Sequence, residues 1–315
     1  MDKNLQNRVS HVAVCSRSFS RNEKLRTELL ARYDHVTFND SGKQFEGDDL
    51  VSFLDNHDKA IIALECISED VLLRLPELKI ISKYGVGLDL IDLNAMRKYK
   101  KRLGWTAGVN RRSVAELTLA FAITMLRQVP VANRHVLSGK WQQFIGGTLS
   151  GRTVGIIGCG NIGKDLVALL QPFHCDILVN DIICYREFYS KHRIEDVSLE
   201  ELLQRADIVT LHVPLDKSTR NILSADRLSL MKSTAILINT ARGSLVDEIA
   251  LKKQLLETQI ASAAFDVFTN EPPIDQELIN LPNFLATPHI GGSAQEAILA
   301  MGLAAIHGLD ENAIP

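Results

Sequence analysis

Three residues far apart in this 315-residue chain, Arg242, Glu271 and His289, are of the types that grip a carboxylate, hold a negative charge and move a proton. Each stands just beyond an apolar run. Arg242 follows Ala235-Ile-Leu-Ile-Asn239 and precedes Gly243. Glu271 follows the run ending at Phe265, through Asp266-Val-Phe-Thr-Asn, and Pro272-Pro273 fixes the turn behind it. His289 sits in Thr287-Pro-His-Ile-Gly-Gly292, a segment with turn chemistry and no helical period. A guanidinium at the carboxyl edge of a sheet can hold a carboxylate through two parallel hydrogen bonds and polarise a neighbouring keto oxygen. An imidazole backed by a carboxylate gains a raised pKa and a fixed orientation, which suits a group that takes a proton from an alcohol and returns it to a ketone. Taken singly, the arginine also reads as a surface residue and the histidine as a structural one. Contact between Glu271 and His289 is a tertiary question.

A fourth stretch, Gly158-Cys-Gly-Asn-Ile-Gly163, follows an apolar strand and opens a helical run. In that context Gly158 permits the tight turn and Gly160 lets backbone approach a pyrophosphate. Gly163 lets the helix lie close, with amides of its first turn, around Asn161 and Ile162, facing the phosphates. Asp181 closes the next strand, where a carboxylate accepts both ribose hydroxyls of an adenosine and repels a 2'-phosphate, so NAD is expected over NADP. Arg186 close by could accommodate that phosphate, but a solvated arginine at a helix start is the commoner case. His212-Val-Pro-Leu215 closes a third strand and would flank the cofactor through His212 and Pro214; His212 fits a structural role equally well. Together the four stretches hold the parts needed to pass a hydride between a nicotinamide and a 2-hydroxy or 2-keto acid.

The elements that must position these residues are legible as alternating strands and helices. In the first third they are His11–Cys15, Asn22–Tyr33, Ala60–Leu64, Ser68–Leu75 and Lys79–Ser82. A second series starts at Thr153–Ile157 and continues with Asp176–Asn180, Asp207–Leu211, Ala235–Asn239 and Ala261–Phe265, five strands in alternation with helices. Alternation of this kind implies parallel sheets covered on both faces. Between the two, Arg97-Lys-Tyr-Lys-Lys-Arg102 reads as a solvated helix end, and Ser113 as an N-cap with Glu116 in the capping-box position, opening an apolar helix Val114–Leu126. A last apolar helix, Ala294–Ile306, is expected to return to the first domain. The fold class expected is α/β: two doubly wound parallel-sheet domains, a Rossmann NAD-binding domain (106–287) inserted into a flavodoxin-like substrate domain (1–105 and 288–315).

Bulk properties narrow the partners. A net charge of −3 with acids and bases intermixed offers no stripe for nucleic acid and no polybasic membrane patch. No apolar run approaches a membrane span, and Met1–Arg8 is polar where a signal peptide would be apolar, so a cytoplasmic location is expected. Five cysteines without a C-x-x-C, and no histidines at zinc spacing, suggest neither a disulfide framework nor a metal site.

These segments, together with Lys83-Tyr-Gly-Val-Gly-Leu-Asp89, Val114-Ala-Glu116, Leu211–Leu215 and Val246-Asp247, closely resemble the D-isomer-specific 2-hydroxyacid dehydrogenase family, especially members similar to short phosphoglycerate dehydrogenases. The similarity runs from about Leu75 to Glu296. The resemblance implies His289 as general acid and base, Glu271 as its partner, and Arg242 as anchor for the substrate carboxylate. It implies substrate contacts at Tyr84, Gly85, Val86, Gly87 and Asn110, and further cofactor contacts at Thr240 and Asp266. It also implies a homodimer with Val114–Leu126 near the subunit contact, and a cleft that closes to exclude water.

Two details depart from phosphoglycerate enzymes. Glu65-Cys66 stands where they often carry Arg-Ser to meet the phosphate, which puts 3-phosphoglycerate in doubt; Arg111-Arg112 could supply positive charge instead, or be solvated. The chain also ends at Pro315, so feedback control through an appended small-molecule domain is not expected. Two other readings stay open. One is formate or phosphite oxidation on the same scaffold, against which Glu271 weighs, since formate enzymes commonly have Gln there. The other is an NAD(H)-sensing protein similar to dehydrogenase-like corepressors.

Overall fold

The computed structural model describes Asn7 and residues 9–315; apart from Asn7, the polar stretch Met1–Arg8 lies outside the described residues. The chain divides into two compact units, one formed by residues up to 110 with 294–315, the other by 111–293.

The first unit is built on β1 (His11–Val14), β2 (His35–Phe38), β3 (Lys59–Ile62), β4 (Ile80–Lys83) and β5 (Arg102–Gly104), paired in parallel in the order β2-β1-β3-β4-β5. This is the flavodoxin-like order, with its reversal between β1 and β3. Side chains alternate across the sheet. Val12 and Val14 pack with Phe19, Leu25 and Leu29, and with Met301, Ala305 and Ile306 of the last helix, Gln295–Gly308. Ala13 and Cys15 turn to the other face, among Leu50, Leu54, Val71 and Met96. The last helix therefore does complete the first unit, as its apolar pattern suggested.

The second unit is built on β6 (Thr153–Ile157), β7 (Asp176–Asn180), β8 (Ile194–Asp196), β9 (Ile208–Leu211), β10 (Ile236–Asn239), β11 (Ser262–Phe265) and β12 (Phe284–Ala286). All pairs are parallel, in the order β12-β11-β10-β9-β6-β7-β8. The sheet is doubly wound, with the Rossmann reversal between β6 and β9. Ile157, Leu211, Leu237 and Phe265 face one core, and Val154, Ile156, Ile238 and Ala264 the other. Among the described residues no single helix is long and apolar enough to cross a membrane.

Several local expectations are corrected. The second sheet has seven strands rather than five: β8 and β12 are three-residue edge strands, too short to show a period. The charged run Arg97–Arg102 is not a uniformly solvated helix end. Lys101 is buried, its Nζ donating to the carbonyls of Leu75 and Pro76 at 2.8 and 2.9 Å, and Arg102 opens β5. Ser113 does not cap a helix. The helix already runs from Arg111 to Leu126, and Ser113 Oγ donates to the Gly291 carbonyl at 2.5 Å. Finally, the units divide at 110/111 and 293/294, a few residues beyond 105/106 and 287/288. Val109 packs in the first unit's core, whereas residues 289–291 are tied by hydrogen bonds to Asp266 in the second.

Candidate active site

Strand register assembles the second unit's site. Ile157 pairs with Leu211, Leu211 with Asn239, Asn239 with Phe265, and Phe265 with Ala286, so these strands end level. The residues that follow them, Gly158, His212, Thr240 to Arg242, Asp266 and Thr287 to His289, are thereby delivered to one carboxyl edge. That is the edge where open α/β sheets bind ligands.

His289 Nδ1 lies 2.7 Å from Glu271 Oε2, both side chains half-exposed. The carboxylate is acceptor only, so the proton of the neutral ring is assigned to Nδ1 and Nε2 is left for chemistry. His289 adopts φ +55°, the left-handed region that non-glycine residues seldom occupy and that costs about 1–3 kcal/mol where it persists. The conformation is held from below. The His289 N–H donates to the Asp266 carbonyl at 2.8 Å, and the Asp266 carboxylate accepts from Thr287 Oγ1 at 2.5 Å and from the N–H groups of Ile290 and Gly291 at 2.7 Å each. Asp266, expected as a cofactor contact, is 1% exposed with both carboxylate oxygens engaged; here it is the clamp of the histidine loop.

Burial pushes the Glu271 carboxyl up, but the hydrogen bond and charge of His289, the Phe268 N–H and the Arg242 charge outweigh it, so its pKa lies below the ordinary value. Glu271 Oε1 accepts the Phe268 N–H at 3.1 Å, which fixes the carboxylate to its own turn. The same turn abuts the arginine loop: a Cβ on Gly243 would sit 1.9 Å from the Phe268 carbonyl carbon and 2.1 Å from Thr269 N, so only glycine allows the approach. Arg242 Nη1 donates to the Ala241 carbonyl at 2.7 Å, and the buried Asn239 shapes the loop, accepting from Ala241 N–H and donating to the Arg242 carbonyl. Asn239 was passed over in the sequence; an asparagine closing a strand before a turn was the signal that could have marked it.

The residues expected to hold the dinucleotide line the same edge. Gly158 has φ +94°, and a Cβ there would meet Val213 at 2.7 Å and His212 backbone at 2.8 Å. Gly163 would clash with the Gly158 carbonyl at 2.4 Å, so the helix Asn161–Leu170 lies directly against the turn. Around Gly160 there is open space, and no side chain caps the helix start, an arrangement that fits a pyrophosphate. Asn161 is exposed and Ile162 half-buried on that first turn. Asp181 is aimed by two backbone amides, Cys159 N–H at 2.6 Å and Ile183 N–H at 2.8 Å. Thr240 is buried, its hydroxyl 3.1 Å from that of Thr118, a second residue not singled out from sequence. Pro214 is exposed. The His212 ring is enclosed although the residue keeps some exposed surface, and burial pushes its pKa down to about 3. It is therefore a neutral imidazole, with Nε2 3.1 Å from Thr210 Oγ1 and a buried Nδ1 without a partner among the described residues.

In the first unit, Tyr84 to Gly87 follow β4 at that sheet's own carboxyl edge. Tyr84 is buried, its hydroxyl 3.3 Å from Ser18 Oγ; Gly85 has φ +125°, and the Val86 carbonyl accepts from Trp105 Nε1 at 3.1 Å. Asn110 is 9% exposed, and its Oδ1 has no partner among the described residues. Of the two arginines considered for a phosphate, Arg112 is ion-paired with Asp165, with Nε 2.9 Å from Oδ2.

Residues 119–291 match the family model described as D-isomer specific 2-hydroxyacid dehydrogenase, NAD binding domain. The chain is 39% identical over 239 residues to the D-3-phosphoglycerate dehydrogenase of Methanocaldococcus jannaschii, a match covering 75% of this chain and 46% of that protein. It is 32% identical to the hydroxypyruvate reductase of Thermotoga maritima over 89% of this chain and 92% of that one. This chain spans about half the length of the phosphoglycerate dehydrogenases it matches. Among solved structures, one from Polaromonas sp. JS6 66, described as a D-isomer specific 2-hydroxyacid dehydrogenase, NAD-binding, superimposes with a TM-score of 0.87 at 28% identity, covering 96% of each chain.

Proposed function

The chain belongs to the D-isomer-specific 2-hydroxyacid dehydrogenase family, and from that premise we propose that it interconverts a D-2-hydroxy acid and its 2-keto acid with NAD as cofactor. The observation that carries the reading is the 2.7 Å His289–Glu271 pair on the same turn-bound edge as Arg242 and the glycine fingerprint. Gly158–Gly163 and Asp181 would hold the dinucleotide, whose reduced form would supply the hydride for the keto carbon and whose oxidised form would accept it from the hydroxy acid. Arg242 grips the substrate carboxylate and polarises the adjacent oxygen. In reduction the doubly protonated His289 ring gives its Nε2 proton to that oxygen and is left neutral with its proton on Nδ1; in oxidation Nε2 of the neutral ring accepts the hydroxyl proton, and Glu271 keeps the ring in register. The test is NADH consumption by the purified protein with a panel of 2-keto acids and stereochemical analysis of the product. Turnover giving the D-hydroxy acid supports the reading; NADH binding without turnover of any keto acid would remove it.

Asp181 sets the cofactor preference in this proposal. Its carboxylate accepts the ribose hydroxyls and repels a 2'-phosphate, and hydrogen bonds to a charged group are worth about 1.5–3 kcal/mol each. Asp181→Ala should therefore lower the ratio of kcat/KM for NADH over NADPH by roughly tenfold or more. An unchanged ratio would mean that another residue selects the cofactor.

A homodimer and a cytoplasmic location belong to the same proposal. All five cysteines are free thiols, which suits a reducing compartment. Beyond the helix Arg111–Leu126, Leu137, Trp141 and Ile145 are 78–95% exposed, apolar surface that a second copy would cover. Light scattering should give the mass of two chains, and a Trp141→Glu variant the mass of one.

A further inference from the structure

We propose that Ser113 and Thr118, two hydroxyl residues of the helix Arg111–Leu126, are positioning residues for the chemistry: Ser113 fixes the loop that carries His289, and Thr118 the loop that carries Arg242. This rests on the dehydrogenase reading above, and every residue involved lies within the second unit. Ser113 Oγ donates to the Gly291 carbonyl at 2.5 Å, while the Gly291 N–H donates to Asp266 Oδ2 at 2.7 Å. Gly291 is thus held at both ends, two positions after His289. The Val114 side chain closes on it as well, 3.5 Å from where a Cβ on Gly291 would sit. Gly291 and Gly292 are the softest part of that loop, because glycine visits backbone conformations barred to other residues. His289, at φ +55°, stands just before them. Asp266 secures the donors of the loop, the Thr287 hydroxyl and the N–H groups of Ile290 and Gly291. Ser113 supplies the opposite kind of contact, a donor to the loop's carbonyl.

Thr118 serves the arginine loop. Of the buried residues on its helix it alone is polar, set beside Ala115, Phe121, Ala122 and Met125, which pack in the core. A buried hydroxyl among apolar neighbours needs partners. Its one proton goes to the Val114 carbonyl at 2.9 Å, so in the 3.1 Å contact with Thr240 the Thr118 oxygen accepts and the Thr240 hydroxyl donates. Thr240 is 7% exposed and stands two residues before Arg242. The bond therefore fixes the start of the arginine loop from the helix, as Asn239 fixes it from the strand. One helix in this way reaches both the proton donor's loop and the carboxylate anchor's loop.

The experiment measures kcat and KM for pyruvate and hydroxypyruvate with NADH in wild type, Ser113→Ala, Ser113→Thr, Thr118→Val and Thr118→Ser, and follows the labelled Glu271 carboxyl carbon of each by NMR through a pH titration. Ser113→Ala should lower kcat by roughly tenfold or more with the keto-acid KM nearly unchanged, since a misplacement of about 1 Å can cost about 10²-fold. Thr118→Val keeps the shape and removes the hydroxyl; it should raise the keto-acid KM by roughly tenfold through Arg242. In both variants the Glu271 carboxyl should titrate higher than in wild type. Burial pushes it up, and what holds it down is the hydrogen bond and charge of His289, the Phe268 N–H and the Arg242 charge. A loss of stability alone would not move that titration. Ser113→Thr and Thr118→Ser keep the hydroxyls and should stay within about threefold of wild type. Unchanged kinetics and Glu271 titration in Ser113→Ala and Thr118→Val, or equal losses in the variants that keep the hydroxyls, overturn this inference and leave the dehydrogenase reading standing. If wild type turns over no keto acid, that reading falls and the Glu271 titration decides the positioning by itself: a rise in both variants upholds it, and no rise removes it.

Discussion

Replacing His289 with glutamine is expected to lower kcat for keto-acid reduction by about 10²–10⁴-fold, the usual contribution of one positioned acid or base, with little change in NADH affinity. Glutamine can still hydrogen-bond to Glu271 and occupies a similar volume, so the loss would report the proton and not the packing. The loop itself should survive, because its conformation is imposed from the backbone side: the Asp266 carbonyl and carboxylate together take three N–H groups, from His289, Ile290 and Gly291. Full turnover in His289→Gln would sink the assignment. Glu271 adds a pH dependence whose sign follows from its depressed pKa. A carboxyl held below its ordinary value contributes stability that is fully present above that value, near pH 4.5, and is lost as pH falls through the folded-state value. The site should therefore remain assembled through neutral pH and come apart only in acid. Chemical shifts of the His289 ring followed from pH 8 downward would show where the pair dissolves.

Removing the guanidinium in Arg242→Ala should cost about 10²–10³-fold in kcat/KM, comparable to the loss of one donor that stabilises developing charge on oxygen. Most of the loss should persist in Arg242→Lys, since an ammonium supplies charge without the planar fork. The structure makes this a clean test of the side chain. Asn239 holds the loop by its main chain, through the Arg242 carbonyl and the Ala241 N–H, and Gly243 seats it against the Phe268 turn, so truncation beyond Cβ leaves the backbone supports in place. Isothermal titration with NADH and steady-state kinetics separate the outcomes. A weaker grip on NADH with unchanged kcat/KM for the keto acid would reassign Arg242 to the cofactor.

Much of the architecture is legible in the residues because a buried parallel strand is a near-continuous apolar run and its helix an apolar stripe. Thr153–Ile157, Asp176–Asn180 and Ala235–Asn239 show it, and each lies within a residue of its observed bounds. The failures fall where that signal is weak. The edge strands Ile194–Asp196 and Phe284–Ala286 have too few residues for a period, and His35–Phe38 alternates exposed and half-buried side chains. The Ser113–Glu116 spacing imitates a capping box, but the helix begins at Arg111, and the Ser113 hydroxyl is spent on a tertiary partner, the Gly291 carbonyl. Lys101 looks solvated in a run of bases, yet its ammonium is buried against two carbonyls that only the fold brings near.

Residue types and local spacing by themselves determined the two parallel sheets, the glycine turn with its acid, and the identity of Arg242, Glu271 and His289 as the chemically equipped residues, because such features are written within a few positions of one another. Only the tertiary structure decided that the imidazole meets the carboxylate at 2.7 Å, that Asp266 is a buried clamp for the histidine loop, and that Ser113 and Thr118 of one helix bond to the loops of His289 and Arg242. Those outcomes depend on strand register and on which loops end side by side, and register is a property of paired chains tens of residues apart, which no local pattern encodes.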